Sequence, residues 1–113
     1  MTVALSYFYL GLSIVFEVVG TSALKESQSF TRLLPSLITV GAYVASFLLF
    51  SLTLRTIPVG IAYAIWASLG IVLIAVIGWL WFKQPLDVPA LIGLALIVGG
   101  VVVVNAFSQS VPH

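Results

Sequence analysis

The chain contains no cysteine, so disulfides, thiolate chemistry and cysteine-ligated metals are excluded. Its one histidine, His113, stands in the terminal tail away from other ligand types, and no metal centre is expected. Charge is almost as scarce. Only 6% of residues are charged, against about 25% in ordinary soluble domains. The formal net charge of +1 offers nothing to attract nucleic acid or an acidic partner. There is no nucleophile–base pair, metal-ligand cluster or phosphate loop, so neither enzymatic chemistry nor a cofactor is expected.

What fills the space is hydrocarbon: 62% of the 113 residues are hydrophobic. Setting Glu17 aside, the charges fall at Lys25, Glu26, Arg32, Arg55, Lys83 and Asp87. They divide the chain into four apolar stretches, each able to supply the roughly 20 residues of a membrane-spanning helix. The fold class read from this pattern is an all-α integral membrane protein, one domain over residues 1–113. Its helices are predicted at about 4–23, 34–53, 58–81 and 88–106. Short links make the expected shape a compact four-helix hairpin bundle. The opening MTVALSYFY lacks the basic region of a cleaved signal, so the first helix is expected to persist.

Glu17 is the residue that demands explanation. It is the only charged side chain before Lys25 and falls near the middle of the first span. A charge at that depth costs about 2.5–3.5 kcal/mol on insertion scales. The bland reading is a structural residue that holds helices together, but membrane helices usually use Ser, Thr, Asn or Gln for that purpose. The functional reading is a carboxyl that holds a proton, or releases it and holds a cation. At helical spacing Glu17 shares a face with Leu10, Ser13, Ile14, Gly20, Thr21 and Leu24, which is expected to point into protein. Val15, Phe16, Val18 and Val19 are expected elsewhere.

The second helix has Pro35 in its first turn, where a missing N–H costs little. Tyr43 aligns there with Ser46, Phe47 and Phe50 in an aromatic stripe. The short Arg55–Pro58 link predicts that helices two and three are antiparallel neighbours. Helix three carries Tyr63 and Trp66 on one side, with Gly60, Ser68 and Gly70 loosening the run. Aromatic residues in membrane helices often only pack or anchor at interfaces, a reading that suits Tyr7, Tyr9, Trp79 and Trp81. Beside a buried acid, Tyr43, Tyr63 and Trp66 form a consistent cation site. The carboxylate supplies charge, the rings supply faces for a flat or quaternary cation, and the phenol hydroxyls are expected to hydrogen-bond Glu17. In helix four, Gly93, Gly99 and Gly100 read as helix–helix packing positions.

Four helices barely surround a ligand, whereas two copies supply eight helices and two acids. Loops one and three carry Lys25, Arg32 and Lys83 against Arg55 in loop two, a weak bias under the positive-inside rule. Insertion in both directions would make the dimer its own inverted repeat, as alternating access favours. A second reading stays open: a membrane scaffold or accessory subunit whose Glu17 pairs with a basic residue of a partner helix.

Four stretches carry a family resemblance: FEVVGTSALK around Glu17, SFTRLLPS at 29–36, IPVGIAYAIWASLGIVLI at 57–74 and QPLDVPALIGLALIVGGV at 84–101. Long and collinear, they resemble the small multidrug resistance transporters. The resemblance implies an antiparallel, dual-topology homodimer in the bacterial inner membrane. It would export lipophilic and quaternary ammonium cations in exchange for protons. Glu17 would be the shared proton and substrate site, with Tyr43, Tyr63 and Trp66 binding beside it. Leu10, Ser13, Gly20, Thr21 and Phe47 would line the pocket. Gly93, Ile97, Gly100 and Val101 would lie in the dimer motif of the fourth helix. Members that export guanidinium typically have Trp three residues after the acid. Gly20 stands there in this chain, which favours the multidrug branch, with guanidinium or polyamine export as the alternative. The family's paired glycines at the helix-three bend correspond here to Ser68 and Gly70, the expected hinge.

Overall fold

The structure, a computed structural model, describes residues 2–109 and 111, so His113 lies outside the described residues. Four helices follow one another: α1 (Val3–Glu26), α2 (Leu33–Thr53), α3 (Val59–Leu80) and α4 (Val88–Phe107). All four are long and apolar enough to cross a bilayer. The shortest has 20 residues, which spans about 30 Å at a rise of about 1.5 Å per residue.

Local chemistry sets the ends. Thr2 Oγ1 accepts the Leu5 amide of α1 at 3.1 Å, and Asp87 Oδ1 accepts the Ala90 amide of α4 at 3.0 Å. Each supplies a partner for an otherwise orphaned helix N–H. The α1 helix continues beyond the predicted residue 23 through Lys25 and Glu26. Charge marks where the chain leaves hydrocarbon; it does not stop helical hydrogen bonding.

Loop one then makes a left-handed turn, with φ of 49°, 62° and 65° at Gln28, Ser29 and Phe30. Left-handed backbone costs a non-glycine residue roughly 1–2 kcal/mol. Ser27 holds the turn together. Its carbonyl accepts the amides of Thr31 and Arg32, both at 3.0 Å. Its hydroxyl accepts the Phe30 amide at 3.1 Å and donates to the Leu24 carbonyl at 2.7 Å.

The arrangement departs from the expected compact bundle. The molecule is a slab of 45 × 35 × 17 Å, less than two side-chain-clad helices thick. Helix α1 is its centre, packed against α2 on one side and α3 on the other, while α4 leans on α3 and buries none of its residues. Helices α2 and α3 are consecutive, yet they meet chiefly through aromatic rings: Phe47 with Trp66, and Phe50 with Tyr63 and Trp66.

The central position of α1 explains a second departure. Val18, expected to point away from protein, is only 6% exposed and joins Leu10, Ile14 and Ile65 in the core. A helix between two neighbours must bury two faces, not one. Leu10, Ser13, Ile14 and Gly20 are buried as the spacing predicts.

Two serines staple α1 to α2. Ser13 Oγ donates to the Ser46 carbonyl at 2.9 Å, and Ser46 Oγ donates to the Ser13 carbonyl at 2.7 Å. Thr53 Oγ1 adds a bond to the Ser6 carbonyl at 3.3 Å. In lipid, where apolar faces gain little from meeting each other, such polar contacts and close approach hold helices together.

Candidate functional site

Glu17 sits half-buried on α1 and forms one wall of a cavity of about 170 Å³. The other walls come from α3: Trp66, Ala67, Gly70, Ile71 and Ile74. Apart from the Glu17 carboxyl, the lining is predominantly hydrocarbon. The one acidic side chain on this wall lies in a weakly screening environment, where electrostatic interactions are strongest.

The carboxylate is held by an ordered chain of hydroxyls. Thr21 Oγ1 donates to Glu17 Oε1 at 2.9 Å, and it lies 2.7 Å from Tyr43 Oη. A threonine hydroxyl has one hydrogen. With that hydrogen on Glu17, the phenol of Tyr43 donates to Thr21, and the sequence runs Tyr43 to Thr21 to Glu17. The direct donor is therefore a threonine one helical turn away, not a phenol as expected. Tyr43 reaches across from α2 and finds Thr21 first.

Two glycines make room for this arrangement. A Cβ on Gly20 would fall 2.6 and 2.7 Å from ring carbons of Tyr43, so the absent side chain is what seats the phenol against α1. A Cβ on Gly70 would fall 3.1 Å from Glu17 Oε2. Helix α3 runs unbroken through the expected hinge, with Ser68 Oγ donating back to the Ala64 and Ile65 carbonyls. In this conformation Gly70 provides space for the acid.

The aromatic residues form a cluster across α2 and α3. Trp66 lies 5.5 Å from Phe50, 5.7 Å from Tyr63 and 6.3 Å from Phe47, all with tilted rings. Tyr43 extends the cluster through Phe47 at 6.4 Å. Trp66 is the member that also lines the Glu17 cavity. Tyr63 is 57% exposed and borders Trp66 rather than the acid.

Of the expected pocket residues, Thr21 touches Glu17 directly, Gly20 touches Tyr43, and Phe47 touches Tyr43 and Trp66. Leu10 lies in the core beneath the site. Ser13 is fully buried, and its hydroxyl accepts the indole N–H of Trp66 at 3.0 Å. On α4, Gly93, Ile97 and Val101 occupy the half-buried side, with Val101 against the core, whereas Gly100 is exposed. Ala67, Ile71 and Ile74 line the cavity but were not singled out from the sequence. Their signal was spacing: Ile74 continues the Trp66–Gly70 row at four-residue intervals, and Ala67 and Ile71 lie beside it.

The family model described as Small Multidrug Resistance protein matches residues 5–97. This chain belongs to the small multidrug resistance family. Over 107 residues it is 53% identical to the multidrug transporter EmrE of Escherichia coli (strain K12), covering 95% of this chain and 97% of that protein. It is 52% identical to the quaternary ammonium compound-resistance protein QacF of Klebsiella aerogenes, over 96% of this chain and 98% of that one. Identity to QacE of Escherichia coli, also described as a quaternary ammonium compound-resistance protein, is 47% over 95% and 97% of the two chains. The family is one of transporters, not enzymes, and this member is a multi-pass protein of the bacterial inner membrane.

Proposed function

We propose that the chain is a proton-coupled antiporter that exports lipophilic and quaternary ammonium cations by alternating access around Glu17. The observation that carries the reading is a single acid within a membrane-spanning helix, on the wall of a largely hydrocarbon cavity that Trp66 also lines. A quaternary cation cannot donate a hydrogen bond. Its recognition rests on charge, ring faces and apolar contact, and this cavity offers all three. Facing the cytoplasm, the deprotonated acid takes the cation; facing outward, protons displace it. Exchange follows because both ligands compete for one carboxylate.

Size supports a dimer as the working unit. Ligand sites usually enclose about 300–1,000 Å³, and the cavity in one copy holds about 170 Å³. Two cavities face to face reach the lower end of that range and bring two Glu17 side chains together. The uncovered surface of α4, with open space around Gly93, Gly99 and Gly100, is consistent with a second copy packing there. In an antiparallel pair the two copies would be each other's inverted repeat.

The test is tetraphenylphosphonium binding to detergent-purified protein across pH 5 to 9, wild type beside Glu17→Gln. Affinity should climb with pH in the wild type and vanish in the variant, which should still form the folded dimer. Binding that ignores pH, or survives the substitution, would favour a structural acid such as that of an accessory subunit.

A further inference from the structure

We infer that Ser13 is the positioning residue for Trp66, and through it sets how well planar aromatic cations are distinguished from ring-free ones. The inference rests on the transport reading above for its ligands, but its geometry stands independently. Trp66 Nε1 donates to Ser13 Oγ at 3.0 Å, a contact from α3 to the centre of α1. Ser13 is fully buried and its hydroxyl is oriented by α2, donating to the Ser46 carbonyl at 2.9 Å. With its one hydrogen committed there, the Ser13 oxygen has lone pairs left to accept, and the indole N–H takes one. Ser46 Oγ stands 3.1 Å from the same oxygen, which keeps the local bonding polar and directional.

This bond sets the rotation of the indole. The neighbouring rings meet Trp66 at interplanar angles of 37° to 45°. Such tilted contacts fill space around the indole but tolerate small rotations. A single N–H···O bond at the ring edge does not, because its strength falls steeply once alignment is lost. Trp66 also borders the Glu17 cavity, so a rotation of the indole changes the surface offered to a ligand. A flat aromatic cation gains from stacking and is sensitive to ring orientation. A ring-free quaternary cation needs only charge and proximity to a ring, and is much less sensitive.

The experiment uses the full chain in detergent and compares wild type, Ser13→Ala, Ser46→Ala, Trp66→Phe and Ser13→Ala/Trp66→Phe. Ethidium and tetrapropylammonium serve as probes, each titrated by competition with tetraphenylphosphonium. The indole N–H resonance of Trp66, assigned by its loss in Trp66→Phe, reports the bond directly. Ser13→Ala should move that resonance upfield and weaken ethidium about three- to tenfold, the worth of one such hydrogen bond, while tetrapropylammonium changes by under about twofold. Ser46→Ala removes a staple of the same kind but leaves the acceptor of Trp66, so the resonance should stay in place. In the Trp66→Phe background, Ser13→Ala should cost no further ethidium affinity.

An unmoved resonance, equal losses for both cations, or additive losses in the double variant would overturn the role of Ser13. Wild-type protein that binds neither cation would refute the transport reading, and the specificity role with it. If Ser13→Ala does not fold, Ser13→Cys keeps the shape with only a weak acceptor and carries the same expectation.

Discussion

Gly20 offers the sharpest test of the site geometry, because its missing side chain is where Tyr43 lies. An alanine there would place Cβ 2.6 and 2.7 Å from two ring carbons and 3.4 Å from Ala42 Cβ. Carbon atoms rest at about 3.5–4.0 Å, so the ring must retreat by about 1 Å. The phenol now stands 2.7 Å from Thr21 Oγ1, and a retreat of that size carries it past the limit of an O–H···O bond at about 3.0 Å. Overpacking costs about 1–3 kcal/mol, and the lost bond about 0.5–1.5 kcal/mol. Replacing helical glycine by alanine returns about 0.5–1 kcal/mol. The central figures leave a net loss of about 2 kcal/mol. Unfolding in mixed micelles, by titration with a denaturing detergent, measures it. The same substitution in a Tyr43→Ala background meets no ring, so only the helical gain remains and the sign reverses. Gly20→Ala that is neutral or stabilising with Tyr43 present would refute the reasoning. So would an equal loss in both backgrounds.

Gly70→Ala should behave differently, because its Cβ would meet the free end of Glu17 at 3.1 Å rather than a packed ring. The carboxylate can yield by a few tenths of an ångström, so the fold should survive while tetraphenylphosphonium affinity drops about threefold, about 0.7 kcal/mol. Gly60→Ala, with nothing within 4 Å, is the control and should leave affinity unchanged. Thr21→Val removes the hydroxyl that links Glu17 to Tyr43. Cation affinity at fixed pH should fall about tenfold, the lower end for one hydrogen bond to a charged group, and Thr21→Ser should restore it. Ser27→Ala deletes the hydroxyl contacts to Phe30 and Leu24 in the left-handed turn. Amide exchange at Phe30, Thr31 and Arg32 should quicken about fivefold, the equivalent of about 1 kcal/mol, with no change in cation affinity.

The residues that were legible beforehand are those where lipid makes chemistry conspicuous. One acid in a long apolar run stands out because burial of charge is costly, and Ser13, Gly20 and Thr21 stood out as the small or polar residues sharing its face. What stayed hidden was which hydrocarbon touches protein and which touches lipid. In a soluble helix, solvent selects polar residues for the outer face; in a bilayer both faces are apolar. Val18 and Val19 are therefore indistinguishable by type, although one lies in the core and the other faces outward. For the same reason Ala67, Ile71 and Ile74 carried no mark of the cavity that they line. The direct donor to Glu17 was missed for another reason. Phenols reach further than threonine, but reach does not matter when a hydroxyl one turn away on the same helix already points at the carboxylate.

The central position of α1 divides the surroundings of the acid in a way that bears on transport. On one side stand its hydroxyl donors, Thr21 of α1 and Tyr43 of α2, and these two helices are stapled by the Ser13–Ser46 pair and by Thr53 to Ser6. On the other side stands the cavity wall, built from α3. Helix α3 meets α1 through Ile65 against Leu10 and Ile14, and through the Trp66–Ser13 bond. Apolar side chains slide past one another at lower cost than paired hydroxyls and carbonyls separate. Within the transport reading, α3 is therefore the element whose movement reshapes the cavity while the donors to Glu17 remain in place. The acid would keep the same hydrogen-bonding partners in both states and differ only in which side of the membrane its open wall faces. A proton and a cation would then compete for the same carboxylate whichever side it faces.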